Sequence, residues 1–180
     1  VSLSAGHGGI KDGKYTTAPG KMEHFEEEGF TFYEGVFNRQ MVLNILKYLH
    51  SWSISYNFIN CTPDDISPSK RGKLCDQMLA NSNLKHGFGV EIHANYFKKE
   101  NVNGFEIYTS KGITPSDKIA TNIYKSVEKS ELMPMRSGIK KKDPDVDKEV
   151  NFIYLISGEQ PLVLVECDFF SNYDVARALM

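Results

Sequence analysis

Hydrophobic and polar positions alternate from the first residue, Val1-Ser2-Leu3-Ser4-Ala5, with the period of two that marks a strand. The pattern then lapses into a long glycine-rich polar stretch, from Gly6 to about Gly29, which includes the acidic run Glu26-Glu27-Glu28 and reads as a loop. Over "EGVFNRQMVLNILKYLH" the apolar positions Val36, Phe37, Met41, Leu43, Ile45, Leu46 and Leu49 recur near 3.6 residues and predict a helix with one core face. "ISYNFIN" predicts a second strand. "SPSKRGKLCDQMLAN" predicts a second helix, capped by Asp65 or Ser67 with Pro68 in its first turn. "GFGVEIH" and "GFEIYTS" read as the third and fourth strands, and "TPSDKIATNIYKSVEKS" as a third helix with Ser116 and Asp117 near its start. A basic, proline-containing segment, "RSGIKKKDPDVDKEV", leads through "NFIYLISG" to the strongly apolar strand "PLVLVE", and "SNYDVARALM" opens a last helix.

Strands separated by helices imply a mostly parallel sheet covered on both faces. The expected fold is therefore α/β, a single domain over 1–180 with a twisted, mostly parallel but mixed sheet of about six strands and helices on both faces. The short gap between the third and fourth strands suggests that these two form the antiparallel pair. No internal repeat or low-complexity linker interrupts the pattern.

Composition narrows the function classes. A chain of 180 residues with 41% hydrophobic content suffices for one domain with a core of its own. The 21 basic and 23 acidic side chains leave a net charge of −2, which offers no bulk attraction for nucleic acid or anionic lipid. No run is apolar enough to span a bilayer, so no membrane insertion is expected. Cys61, Cys75 and Cys167 lack the spacing of a zinc knuckle or redox dithiol, and reduced, unligated thiols are expected.

In an open α/β sheet, ligands gather beyond the carboxyl ends of the strands. His7 follows the first strand, His93 ends the third and Glu166 ends the last, while Glu34 opens the first helix after the loop that leaves His7. Two imidazoles and a carboxylate are the ligand set of a catalytic zinc site that keeps one position open, and a further carboxylate can serve as base. Spacing alone leaves this set open against unrelated polar residues at strand ends, because no HExxH helix ties it together.

The segments "SLSAGHGG", "YEGVFNRQMVLNILKYL", "VEIHANYF", "NGFEIYTSKG" and "PLVLVECDFFSN" stand in the order and spacing of the zinc-dependent N-acetylmuramoyl-L-alanine amidases, the family of bacterial autolysins and phage endolysins. The resemblance covers nearly the whole chain. It implies that His7, Glu34 and His93 hold one Zn2+ and that Glu166 is the catalytic acid/base. It implies a peptidoglycan hydrolase that cuts the amide between N-acetylmuramic acid and the first L-alanine of the stem peptide. Two other readings stay open at this point: a zinc carboxypeptidase or other metallopeptidase acting on stem peptides, and a catalytically inactive wall-binding module on the same scaffold. Arg136, Gly138 and Lys140 resemble the family's R-x-G-x-K stretch, whose role the sequence does not assign.

The chain also departs from the family. Its loop between His7 and Glu34 is longer and adds candidate ligands, His24 and Glu26 to Glu28; Glu34 is preferred because Asn38 follows it at the matching offset. Glu91 stands two places before His93, where the family has serine or another small residue. Residues two apart on a strand share a face, so Glu91 is expected beside the metal site as an outer or salt-bridged carboxylate rather than a fourth ligand. Asn95 is expected to cap the turn after its strand and, by resemblance, to border the site or substrate. The remaining groups have plainer readings: His24 and His86 exposed, His50 at a helix end where a cation suits the dipole, Arg71 a surface charge, "IKKKD" a solvated face, and Cys167 packed in the core. The chain stops at Met180 where the family continues its last helix, so a truncated final helix and no wall-binding domain are expected. With no basic n-region or apolar h-region at its start, the expectation is a monomer made in a bacterial cytosol and delivered to the wall by another route, or secreted if a signal has been removed.

Overall fold

The alternation at the start of the chain does form a strand, β1 (Ser2–Ala5). The computed structural model describes residues 1–17, 20–99, 101–138 and 145–180. The stretch expected to be a loop instead folds into two hairpins, β2 (Ile10–Lys11) with β3 (Lys14–Tyr15), and β4 (Met22–Phe25) with β5 (Phe30–Tyr33). Their glycines supply the left-handed turns, as at Gly13 and Gly29, and short strands of this kind leave almost no periodicity to read. Then follow α1 (Glu34–Ser51), β6 (Asn57–Phe58), α2 (Pro68–Ala80), β7 (Gly89–Asn95), β8 (Glu106–Thr109), α3 (Pro115–Ser130), β9 (Lys148–Glu149), β10 (Leu162–Phe169) and α4 (Tyr173–Leu179). "NFIYLISG" forms turns, which bury Tyr154 and Leu155. Among the described residues no helix is long and apolar enough to cross a membrane.

The main sheet has six strands in the order β6-β1-β7-β10-β8-β9. All its pairings are parallel except β10 with β8. The antiparallel partner of β8 is therefore β10, not the third strand β7, because β10 inserts between them. A strand from the end of the chain thus decides a pairing that the short β7–β8 gap had suggested was local.

The two faces of the sheet differ, and this difference positions the site. On one face Leu3, Ala5, Val90, Ile92, Ala94, Ile107, Val163, Val165 and Cys167 pack against α1 and α3 as the larger core. Burying each leucine, isoleucine or valine among them contributes roughly 1.5–3 kcal/mol. Val42 is buried in α1, whereas Val36 and Leu43 lie on its exposed side, 40% and 45% accessible. On the other face α2 covers a smaller cluster of Ile59, Cys75, Tyr154, Leu155, Leu162 and Leu164. The alternate positions of β7, Glu91, His93 and Asn95, necessarily point to this second face. Since the apolar face carries most of the core, the other face can hold charged groups.

Candidate metal and catalytic site

His7 leaves the end of β1 with φ of 61°, a left-handed conformation that is uncommon for a residue with a Cβ and that tends to mark functional positions. The turn is held by Arg39, whose Nη1 donates to the His7 carbonyl and to the Gly35 carbonyl, both at 2.8 Å. Glu34 is the first residue of α1 and is 1% exposed, at the helix end where a carboxylate is favoured. Tyr33, at the N-cap, gives no side-chain cap. The first hairpin replaces it: the Tyr15 hydroxyl accepts from the Gly35 N–H at 2.9 Å and donates to the Lys21 carbonyl at 2.9 Å, and Glu34 N–H donates to the same carbonyl.

These elements bring His7, Glu34 and His93 together with their ligand-capable atoms all within 4.8 Å. Glu34 Oε1 lies 2.9 Å from His93 Nδ1 and 3.3 Å from His7 Nε2. Asn38, one helical turn on, donates to the Gly6 carbonyl at 3.0 Å and reaches Glu34 Oε1 at 3.5 Å. The two imidazoles meet edge to face at 4.9 Å. His7 Nε2, Glu34 Oε2 and His93 Nε2 are shut off from solvent without a hydrogen-bond partner. Buried donors left idle around two imidazoles and a carboxylate fit a zinc ion, and among the described residues this is the group with that property. His24 and the acidic run lie instead along a separate groove with Tyr96, Phe97 and Tyr173.

The charges show the same preference for a cation. Burial opposes ionisation of Glu34, yet the facing imidazoles of His7 and His93 hold its carboxyl far below the ordinary carboxylate range. Burial likewise disfavours a charged His93, but Glu34 and Glu91 outweigh it and raise its pKa to about 10. At His7 burial wins and lowers the pKa. Lys21 reaches 3.8 Å from Glu34 Oε2, so the link just before the second hairpin contributes a positive charge at the mouth of the site that the sequence did not reveal.

Glu166 sits beside His93 in the β10–β7 register and beside Glu106 in the β10–β8 register, so three ionisable groups form one row across the sheet. Their environments separate the two carboxylates. Burial opposes the charge on Glu106, but Lys148, Tyr108 and Arg136 all hydrogen-bond to it and lower its pKa, and Asn95 Nδ2 adds a bond of 3.0 Å. Glu166 Oε2 has no such partner; burial, with the nearby charge of Glu34, pushes its pKa up to about 8 despite His93. Neighbouring carboxylates with divergent pKa values mark acid/base roles.

The other sequence expectations fall as follows. Asn95 caps the turn, its Oδ1 accepting from the Tyr96 N–H at 2.8 Å, besides its bond to Glu106. Glu91 is buried and its Oε2 approaches His93 Nε2 at 3.3 Å. Arg71 is not a surface charge: it is 2% exposed and lies 2.5 Å from Glu91. Arg136 binds Glu106 at 2.8 Å, and the Gly138 N–H donates to the Val146 carbonyl; Lys140 and the "IKKKD" run lie outside the described residues. Cys167 is buried on the apolar face as expected. Glu106, the hub of four partners, was missed because nothing in "GFEIYTS" singles it out and three of its partners, Asn95, Arg136 and Lys148, come from other segments.

A Cβ on Gly35 would lie 1.7 Å from the Gly8 carbonyl oxygen, which is backbone and cannot turn aside. Alanine in a helix interior is ordinarily better than glycine by about 1 kcal/mol, but overpacking costs about 1–3 kcal/mol. Gly35→Ala is therefore expected to lower the melting temperature and loosen the metal site by moving Glu34 away from His7. A rise in melting temperature would show that this close approach is not a constraint.

A family model described as N-acetylmuramoyl-L-alanine amidase matches residues 1–180. The fold is that of the catalytic domain of CwlV, an N-acetylmuramoyl-L-alanine amidase from Bacillus (Paenibacillus) polymyxa, with a TM-score of 0.70 and 20% identity over 99% of this chain and 86% of that one. AmiC2, an N-acetylmuramoyl-L-alanine amidase of Nostoc punctiforme, superposes with a TM-score of 0.71 at 17% identity, over 99% and 84% of the two chains. The catalytic domain of the CD27L endolysin, which targets Clostridia difficile, gives a TM-score of 0.62 at 16% identity, over 99% and 86%. At such identities the structural likeness is one of fold. No curated protein matches the sequence.

Proposed function

The chain belongs to the N-acetylmuramoyl-L-alanine amidases, hydrolases that cut the amide between N-acetylmuramic acid and L-alanine in cell-wall peptidoglycan, and we propose that it does so with zinc held by His7, Glu34 and His93 and with Glu166 as the proton carrier. The observation that carries this reading is the convergence of those three side chains within 4.8 Å.

An amide is a poor electrophile with a poor leaving group, so catalysis must activate water, polarise the carbonyl and protonate the nitrogen. Zinc, when bound, supplies the polarisation and makes water acidic enough to attack near neutral pH. The protein's part is the rest. Asn38 and the start of α1 fix Glu34, and Arg39 holds the strained His7 turn. Glu166, buried beside His93 with Oε2 unpartnered, would take the proton of the attacking water and return it to the departing alanine nitrogen. Glu106, kept ionised by its four partners, does not compete for that proton but helps to hold the Glu166 pKa up.

Digestion of purified peptidoglycan by the zinc-supplemented protein tests this reading. New N-terminal alanine without new reducing sugar is the expected result, lost on adding a chelator and restored by zinc. Release of free amino acids would favour a carboxypeptidase, and undiminished activity in chelator would remove the metal from the reaction.

A further inference from the structure

Arg71 and Glu91 are 2% and 1% exposed, a full ion pair sealed between α2 and the sheet. A pair so placed regains in attraction about what it loses in hydration, and apolar residues of equal volume often serve stability as well or better. The fold therefore does not account for it. What the pair touches does. Glu91 Oε1 lies 2.5 Å from Arg71 Nε in an ion pair and accepts from the Ser4 hydroxyl at 3.2 Å, which leaves Oε2 facing His93 Nε2 across an ion-pair distance of 3.3 Å. The other ring nitrogen, Nδ1, is the one at 2.9 Å from Glu34. Glu91 is thus on the far side of the imidazole from Glu34, which removes it as a fourth ligand. It is also anchored from two elements, α2 through Arg71 and β1 through Ser4.

We propose that Arg71 and Glu91 act as a positioning pair that orients the His93 ring from behind and so presents Nδ1 to the metal. This rests on the reading of His7, Glu34 and His93 as zinc ligands. Carboxylates that engage the outer nitrogen of a ligating histidine fix its tautomer and orientation, and removing them typically costs 10–100-fold in metal affinity. Here the carboxylate is in turn fixed by a buried guanidinium, whose planar donors hold it more rigidly than a lysine ammonium would.

The test is zinc affinity by chelator competition, together with the stability of the metal-free protein in denaturant, for wild type, Glu91→Gln, the double variant Arg71→Met/Glu91→Leu, and Glu34→Gln. Glu91→Gln is expected to weaken zinc about 10–100-fold. The double variant removes both charges, so it is expected to weaken zinc equally while folding at least as stably as wild type; it decides the matter if the single variant does not fold. Wild-type affinity in the double variant, or failure of the double variant to fold, would mark the pair as structural and overturn the proposal. Wild-type affinity in Glu34→Gln would instead overturn the ligand assignment on which the proposal rests.

Discussion

Glu166→Gln is expected to lower turnover by about 10²–10⁴-fold, the usual contribution of a positioned acid/base, with zinc content and peptidoglycan binding unchanged. The amide keeps the size of the carboxylate and cannot carry the proton. The same substitution is expected to stabilise the metal-free protein, because Glu166 ionises at a cost. Its pKa rises from an ordinary 4.5 to about 8 in the folded state, so the native state holds its proton more tightly than the unfolded chain does. A group raised in this way destabilises nothing below about pH 4.5, where both states are protonated, and the wild type loses stability progressively as pH rises toward 8. At about 1.4 kcal/mol per pKa unit the loss is on the order of a few kcal/mol. Melting curves of the metal-free proteins should show the variant higher by several degrees at pH 8 and level with wild type at pH 4. Equal melting temperatures at both pH values, or a variant that no longer holds zinc, would remove Glu166 from the proposed role.

Glu34→Gln and His93→Ala are expected to lose zinc, and turnover with it, by more than the roughly 10–100-fold that an outer contact is worth. Glu34 contributes the one anionic donor of the set and contacts both imidazoles. Metal analysis after gel filtration, alongside amine release from cell walls, checks this. Both variants, and the wild type in excess chelator, should still unfold cooperatively, because the larger core between the sheet and the α1 and α3 helices is built without the site. Unfolding on chelation would make the metal structural, as in a zinc finger. If Glu34→Gln kept its zinc while Glu166→Gln lost it, the two carboxylates have exchanged roles.

The candidate residues stood out in the sequence because their signals are local. A strand announces itself by alternation, and the polar residue that ends an apolar strand stands out in the sequence; His7, His93 and Glu166 were found in this way. Glu34 stood out at the start of the first helix, and the resemblance to a known family preferred it over the loop carboxylates through its offset to Asn38. The sheet type and the three main helices followed from periodicity for the same reason, as did the burial of Cys167 on the face opposite Glu166.

Other features depended on partners distant in the chain. The antiparallel partner of β8 is β10, which enters only near the end of the sequence. The cap of α1 is a tyrosine hydroxyl from a hairpin, 20 residues before the Gly35 N–H that it accepts from, rather than an adjacent N-cap residue. Arg71 reads as a surface charge on its own helix, and only the packing of α2 over β7 turns it inward to Glu91. The pKa separation of Glu106 and Glu166 arises from which of two adjacent carboxylates receives Arg136, Lys148, Tyr108 and Asn95. The sequence by itself determined which polar residues end the apolar strands and open the first helix, since both are written in short-range patterns of polarity. Only the tertiary structure decided which charges are buried, which are paired and which carboxylate oxygen is left without a partner, because burial and pairing are properties of the space between segments.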